Sequence, residues 1–130
     1  MGDEQHPEQR LGSLEAAVVQ DLWAHGEATV AEVLARLNER RGRPLAYNTV
    51  MSVMARLADK QILSRWREGR AYRYASALNR EQLSVHFARR DVRELLAEHG
   101  EAAIAGFLTE TTTNQQLRVR LRAALDDDDC

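Results

Sequence analysis

The sequence is poor in cysteine and in aromatic residues. Its single cysteine, Cys130, is the last residue, so neither a disulfide within the chain nor a thiolate metal cluster can form. Aromatic residues make up 5% of the 130 residues, and the core must therefore consist mainly of Leu, Val and Ala. A core of that kind is typical of helices packed on helices, and the overall composition is that of a globular protein.

The sequence also lacks long apolar runs and recognisable catalytic motifs. No apolar run approaches the roughly 20 residues that a membrane-spanning helix needs, so we expect a soluble, cytoplasmic protein without membrane insertion. The histidines have no partner at metal-ligand spacing, and we find no GxSxG motif, no phosphate-binding glycine loop and no catalytic pair of carboxylates. We therefore expect no enzyme activity, no cofactor and no bound metal.

Basic residues are concentrated in one segment, although the whole chain has a net charge of −2. Residues 36–73 carry ten basic and three acidic residues, a net of +7, between flanks of −6 (residues 1–35) and −3 (residues 74–130). Such a local basic surface indicates a polyanionic partner. Of the 18 basic residues 17 are Arg, whose planar fork fits phosphates and guanine edges, although Arg-rich codon usage would produce the same preference.

The start of the chain is polar and is followed by a first helical pattern. Residues 1–10 contain no apolar period, and we expect them to be disordered. Ser13 is a suitable N-cap for a helix at about 14–25, in which apolar residues recur at helical spacing. Gly26 fits the left-handed position that ends such a helix.

Two more helical patterns follow before residue 61. Thr29 and Glu32 have the spacing of a capping box, which predicts a second helix at about 30–41. Gly42-Arg43-Pro44 ends that pattern, and a third helix is predicted at about 47–60. Its predicted buried face consists of Val50, Val53, Met54, Leu57 and Ala58.

The apolar period changes from helical to alternating at residues 62–75. Apolar or aromatic residues alternate there with arginines around Glu68-Gly69, which predicts a β-hairpin with a tight turn whose register the sequence leaves open. Three short helices followed by this hairpin, which we call the wing, predict a winged helix-turn-helix domain. The expected fold class is mainly α with a small β-hairpin wing, followed by a helical dimerisation region.

The third helix and the wing carry the residues that we expect to contact double-stranded DNA. A helix in the major groove needs an apolar face toward its scaffold and short polar or Arg side chains on the opposite face, with positive flanks for phosphates. The predicted DNA-binding residues are Arg43, Tyr47, Asn48, Thr49, Ser52, Arg56, Arg65, Arg67, Arg70 and Arg73.

Some wing residues have an alternative role. Trp66, Tyr72 and Tyr74 are expected to pack the wing onto the helices, and Tyr74 is the best candidate for the core. Arg67 and Arg70 at the tip of the wing either contact DNA or are simply solvated. The sequence does not decide between these roles.

The helical period returns after the wing without obvious DNA-binding chemistry. Asn79 and Gln82 resemble a capping pair, Gly100 interrupts the pattern, and Thr113 is a suitable cap for a last helix. The apolar surface here is expected to pair with a second copy of the chain, since paired wings match a palindromic operator. The alternative is that these helices fold back on their own domain. The predicted dimerisation residues are Leu83, Phe87, Leu95, Leu96, Ile104, Phe107, Leu108, Leu117, Leu121 and Leu125.

Four segments are therefore expected along the chain. A disordered N-terminus (residues 1–10) precedes the winged-helix domain (11–77), and the helical dimerisation region (78–125) precedes an acidic tail (126–130). The tail contains four consecutive aspartates at a helix C-terminus, where carboxylates oppose the helix dipole, so we expect this end to fray.

These pieces together resemble the penicillinase-repressor family, the BlaI/MecI/CopY type of winged-helix transcriptional repressors. The order and spacing of the matching segments agree through about residues 11–75, and the helical region up to about residue 125 is compatible. The matching segments are LGSLEAAVVQDLW (11–23), TVAEVLARL (29–37), AYNTVMSVMARLADKQIL (46–63) and REGRAYRY (67–74).

The resemblance implies a homodimer that represses transcription by binding an inverted-repeat operator. An unknown inducer or protease would then release it. The β-lactam-responsive members are cleaved at an Asn-Phe bond, whereas Gly106 precedes Phe107 here. The copper-responsive members carry paired cysteines near the C-terminus, whereas this chain has only Cys130. Neither release route fits this sequence.

A winged-helix adaptor that binds an acidic protein partner, without sequence-specific DNA binding, is the alternative function. An adaptor would present exposed apolar residues on the third helix, whereas the small polar residues at positions 48, 49 and 52 favour DNA.

Overall fold

The computed structural model describes residues 6–128 of the chain. They fall into two compact units, one ending at Phe87 and the other beginning at Ala88, later than the predicted boundary after residue 77. The elements in chain order are a 3-10 helix (Pro7–Arg10), α1 (Ser13–His25), β1 (Ala28–Thr29), α2 (Val30–Glu39), α3 (Tyr47–Asp59), β2 (Leu63–Glu68), β3 (Ala71–Ser76), α4 (Arg80–His99), α5 (Glu101–Thr113) and α6 (Gln115–Asp128).

The N-terminal ends of α1 and α2 are held in different ways. Gly12 is the N-cap of α1, so the predicted cap, Ser13, is wrong, and it is instead the first helical residue. The predicted capping box of α2 is confirmed: the Thr29 hydroxyl accepts from the Glu32 N–H at 3.2 Å, and the Thr29 N–H donates to Glu32 Oε1 at 3.0 Å. The capping box thereby satisfies two backbone N–H donors at this helix end within the protein.

The connection from α2 to α3 is held by Asn38. Its Oδ1 accepts from the Leu45 N–H at 2.7 Å, and its Nδ2 donates to the Leu45 carbonyl at 3.3 Å. This pair of bonds fixes the chain just before α3 begins at Tyr47. The predicted apolar face of α3 is confirmed, since Val50, Val53, Met54 and Leu57 are buried and Ala58 packs partly buried against them.

The predicted hairpin forms as β2 and β3, which pair antiparallel. Its register places Arg65 opposite Tyr74, Trp66 opposite Arg73 and Arg67 opposite Tyr72. Gly69 takes a φ of +66° in the turn, a conformation that glycine adopts without steric cost. The two-residue strand β1 adds to the other edge of β3, giving the order β1-β3-β2. The sequence did not reveal β1, because two residues are too few to show an alternating pattern.

One hydrophobic core holds the first unit together. It combines residues from the helices with residues from the sheet, and Tyr74 is 1% exposed at its centre, as expected. Leu83 and Phe87 also lie in this core, so their predicted role in dimerisation is wrong: neither has free surface for a partner. The core consists of Val18, Val19, Leu22, Ala28, Val30, Val33, Val50, Val53, Met54, Leu57, Ile62, Leu63, Tyr74, Leu83 and Phe87.

The expectation of a disordered start is wrong for the residues just before α1. Pro7–Arg10 form the 3-10 helix, and Glu8 is buried with its carboxylate against Arg80 at the start of α4. The guanidinium of Arg10 lies 4.9 Å from the ring centroid of Phe87. These contacts order the segment through partners distant in the sequence. The expectation for residues 1–5 lies outside the described residues.

The second unit contains the rest of α4 together with α5 and α6. The Asn114 side chain, rather than Thr113, caps α6, because its Oδ1 accepts from the Leu117 N–H at 3.1 Å and Thr113 is still part of α5. Helix α6 continues into the aspartate run as far as Asp128, and the final two residues lie outside the described chain. None of the helices in residues 6–128 is both long and apolar enough to span a membrane.

Candidate nucleic-acid interface

The outward face of α3 carries the predicted contact residues. Asn48, Ser52 and Arg56 are spaced four residues apart and are all exposed, so they form one line along the helix. Tyr47, 48% exposed, and the exposed Thr49 lie beside the start of that line. The opposite face of the helix is buried in the core, which fixes the direction of this polar line.

The N-terminus of α3 has neither a side-chain cap nor an acidic residue, whereas that of α2 has both. Ala46 is its N-cap and has no polar side chain, and its first turn contains no acidic residue. The N–H groups of that turn, together with the positive end of the helix dipole, are therefore available to an anion from outside. A helix end of this kind suits a phosphate group.

The arginines of the basic segment divide into paired and unpaired groups. Arg36 donates to both oxygens of Asp21 at 2.8–3.1 Å, and these hydrogen bonds raise its pKa above the ordinary value. By contrast, no described carboxylate lies within ion-pair distance of seven exposed arginines of this segment. They are Arg40 and Arg41, together with the predicted contact residues Arg43, Arg56, Arg65, Arg67 and Arg70.

One face of the wing carries a stacked group of arginine and tyrosine side chains. The guanidinium carbons of Arg65 and Arg67 lie 4.7 and 5.7 Å from the ring centroid of Tyr72. Arg65 also donates from Nη1 to the Tyr74 hydroxyl at 3.3 Å, a bond that raises the pKa of Arg65. Tyr74 is buried, so Arg65 is tied to the core, whereas Arg67 nearer the tip is exposed. Tyr72 therefore positions Arg67 through a cation–π contact.

Arg73 lies on the other face of the wing. It pairs across the strands with Trp66, and its guanidinium lies 3.3 Å from Glu68, 3.6 Å from Glu27 and 3.8 Å from Glu32. Its charge is already compensated by these three carboxylates, and its side chain is only 25% exposed. The structure therefore does not bring Arg73 together with the other predicted DNA-binding residues, and we remove it from the set.

The two remaining wing aromatics are more exposed than expected. Trp66 is 39% exposed and Tyr72 is 42% exposed, so only Tyr74 of the three packs fully into the core.

Met51 is the residue that sequence reasoning missed on α3. It is 39% exposed and lies four residues after Tyr47. The helical period of the sequence already places it on the same outer face as Tyr47.

The second unit exposes a set of large apolar side chains. Phe107 is 53% exposed and Leu125 is 57% exposed, while Leu121 is half-buried. Contiguous exposed apolar patches are typical of surfaces to which another molecule binds. The predicted dimerisation residues that are exposed in this unit are Leu95, Leu96, Ile104, Phe107, Leu108, Leu117 and Leu125.

A metal centre is not part of this arrangement. Across the portion of the chain that the structure describes, no three His, Cys, Asp or Glu side chains lie together as metal ligands would. The groups available for binding are exposed guanidinium groups, small polar side chains and a helix N-terminus without a side-chain cap.

Comparison with known proteins agrees with this architecture. The Transcriptional regulator BlaI of Mycobacterium tuberculosis, in strains CDC 1551 / Oshkosh and ATCC 25618 / H37Rv, is 37% identical to this chain, and the match covers 78% of this chain and 96% of the relative. Among solved structures, the complex structure of hsRosR-S1 is similar in fold, with a TM-score of 0.51, 14% identity and coverage of 93% of this chain and 94% of that one.

A second solved structure is that of the DNA binding domain of the repressor BlaI. It is 22% identical, with a TM-score of 0.49, and covers 60% of this chain and 90% of its own. The sequence model of the family described as Penicillinase repressor matches residues 11–127, which is nearly the whole chain. This chain belongs to the Penicillinase repressor family.

Proposed function

We propose that this protein is a transcriptional repressor that binds double-stranded DNA through α3 and the wing. The observation that carries the proposal is the line of Asn48, Ser52 and Arg56, which runs from a helix N-terminus free of acidic residues. Short polar side chains and Arg are the groups that hydrogen-bond base edges in the major groove. The relatives named as transcriptional regulators support this choice.

Phosphate binding would come from residues around that line. Arg43 before α3 and Arg67 and Arg70 on the wing have no acidic partner among the described residues, so their charge is available to DNA. Contacts to phosphates fix the register of a protein on the duplex, and they make affinity fall steeply with salt. The acidic flanks of the chain keep its total charge near zero without cancelling this local surface.

The finer proposal is that two copies bind an inverted repeat. The exposed apolar residues of the second unit provide a surface for a second copy, and Leu96 and Phe107 are typical members. A two-fold symmetric dimer presents two identical reading helices, which matches two half-sites of opposite orientation. Repression would follow because the bound dimer occupies promoter DNA.

The test uses the full-length chain with a pool of random-sequence duplexes. Repeated selection is expected to enrich an inverted repeat. The chain should bind the selected duplex at least about a thousandfold more tightly than it binds unrelated DNA at the same salt concentration. Sedimentation of the complex should give two chains per duplex. Equal affinity for selected and unrelated duplexes would refute sequence-specific binding, and one chain per duplex would refute the dimer.

A further inference from the structure

Met51 is an apolar side chain on the otherwise polar outward face of α3. We call this face, which carries Asn48, Ser52 and Arg56, the reading face. The other aliphatic side chains of this helix larger than alanine, such as Val50 and Met54, are buried in the core. Met51 is 39% exposed. Its exposure is therefore a property of the reading face and not of a loosely packed core.

The position of Met51 places it among the base-reading candidates. It lies in the second turn of α3, next to Ser52 and three residues after Asn48, so it shares their side of the helix. The N-terminal turns of a recognition helix are the part that approaches base edges. A thioether is a weak hydrogen-bond acceptor and carries no donor, so Met51 is unsuited to phosphates and to the polar base edges.

One apolar group is available in the major groove of DNA. The C5-methyl of thymine projects there, while the other base edges present hydrogen-bond donors and acceptors. We propose that Met51 packs against a thymine C5-methyl and specifies thymine at that position of each half-site. This inference rests on the proposed function, and it adds the identity of a base that the operator must contain. The unbranched, polarizable side chain of Met suits a contact with a methyl group whose exact position varies.

Thr49 is the competing candidate for the same methyl group. It is exposed in the first turn of α3 and carries a γ-methyl of its own. Replacing Thr49 by Ser removes that methyl and keeps the hydroxyl, while replacing Met51 by Ala removes only the thioether arm. The pair of substitutions therefore separates the two sources of an apolar contact.

The experiment removes the methyl from the DNA before it changes the protein. In the duplex selected by the full-length chain, each thymine of a half-site is replaced in turn by deoxyuridine, which pairs identically but lacks the C5-methyl. Affinities are measured by fluorescence anisotropy. For the wild-type chain, one replacement is expected to weaken binding by about fourfold, the effect of burying one methyl-sized group.

The protein variants assign that methyl to a residue. Met51→Ala is expected to bind the thymine and deoxyuridine duplexes equally, while Thr49→Ser keeps the fourfold difference. The inference is overturned if no thymine is sensitive, or if the sensitivity persists in Met51→Ala; its loss in Thr49→Ser would then assign the methyl to Thr49. Binding to the unmodified duplex reports the proposed function separately: a chain that selects no duplex refutes that function, and the inference with it.

Discussion

The carboxylate of Glu8 accepts two hydrogen bonds from Arg80, a residue 72 positions later in the chain, at 3.2 Å from Nε and 2.9 Å from Nη2. Arg80 also lies over the ring of Trp23, with its guanidinium carbon 4.8 Å from the centroid. The second carboxylate oxygen of Glu8 is buried, and among the described residues it has no hydrogen-bond partner. The pair therefore holds the N-terminal 3-10 helix onto the start of α4, within the first unit.

Removing Arg80 is expected to destabilise the first unit substantially. In Arg80→Ala the buried Glu8 carboxylate loses its counter-charge, which should lower the free energy of unfolding by about 2 kcal/mol or more. The matched control is Arg90→Ala, which breaks an exposed pair with Glu94 at 3.3 Å and should cost less than about 0.5 kcal/mol. Urea unfolding at pH 7, followed by far-ultraviolet circular dichroism of the helices in both units, measures both. Similar small losses in the two variants would contradict the role of the buried pair.

The same pair predicts a loss of stability in acid. Burial alone raises the pKa of Glu8, but hydrogen bonds, the largest of them from Arg80, and the charge of Arg80 together outweigh it, so the folded-state pKa lies below the ordinary value of 4.5. The stabilisation is therefore fully present above the ordinary value and is lost as pH falls through the folded-state pKa. The stability difference between wild type and Glu8→Gln should shrink when urea unfolding is repeated from pH 7 down to pH 3.5. A difference that stays constant would exclude this linkage.

Arg56 is expected to contribute directly to DNA binding. It ends the exposed line on α3 and has no ion-pair partner among the described residues, so Arg56→Ala should leave stability nearly unchanged. If Arg56 reads a base, the substitution should cost about 1–3 kcal/mol of binding and relax specificity at one position. If it binds phosphate, the loss of affinity should be the same for all DNA sequences. The slope of log affinity against log salt concentration should then decrease in magnitude by about one.

Binding curves on the selected duplex and on single-base variants, at several salt concentrations, distinguish these two cases. Arg90→Ala is again the control, because Arg90 lies in the second unit and pairs with Glu94. Unchanged affinity in Arg56→Ala would place Arg56 outside the interface.

The two faces of the wing are expected to respond differently to the loss of an arginine. Arg67→Ala removes an exposed charge beside Tyr72 and should weaken DNA binding together with its salt dependence. Arg73→Ala removes a charge already paired with three glutamates, so it should reduce stability modestly and leave the salt dependence nearly unchanged. Anisotropy titrations across salt, with parallel unfolding curves, measure both effects. A larger change of salt dependence in Arg73→Ala would mean that the faces are assigned the wrong way round.

Local signals in the sequence were sufficient for α2 and for the outward face of α3. The capping box of Thr29 and Glu32 needs only residues three apart, and it forms as predicted. The buried stripe of α3 follows from helical spacing alone, so the outward direction of Asn48 and Ser52 followed as well. A structural feature that depends only on residues close together in the sequence can therefore be predicted from the sequence.

Features that depend on partners distant in the sequence could not be predicted in the same way. Arg67 and Arg73 are both wing arginines, and only the strand register, which the sequence left open, places them on opposite faces. The apolar period of α4 showed that Leu83 and Phe87 would be buried but not against what, and the partner proved to be the chain's own core. Glu8 was assigned to a disordered start because its partner Arg80 lies so far along the chain.

The exposed apolar residues of the second unit are expected to form the contact between two copies of the chain. Phe107 is 53% exposed, and a charge at its position would have to be desolvated in an apolar interface, so Phe107→Glu should shift the chain to monomers. Val85 is equally exposed at 53% but belongs to the first unit, so Val85→Glu is the matched control and should remain dimeric. Sedimentation velocity at micromolar concentration measures both. Because one reading surface covers one half-site, Phe107→Glu should also bind the inverted repeat no better than a single half-site. A Phe107→Glu chain that stays dimeric, or a Val85→Glu chain that dissociates, would place the interface elsewhere.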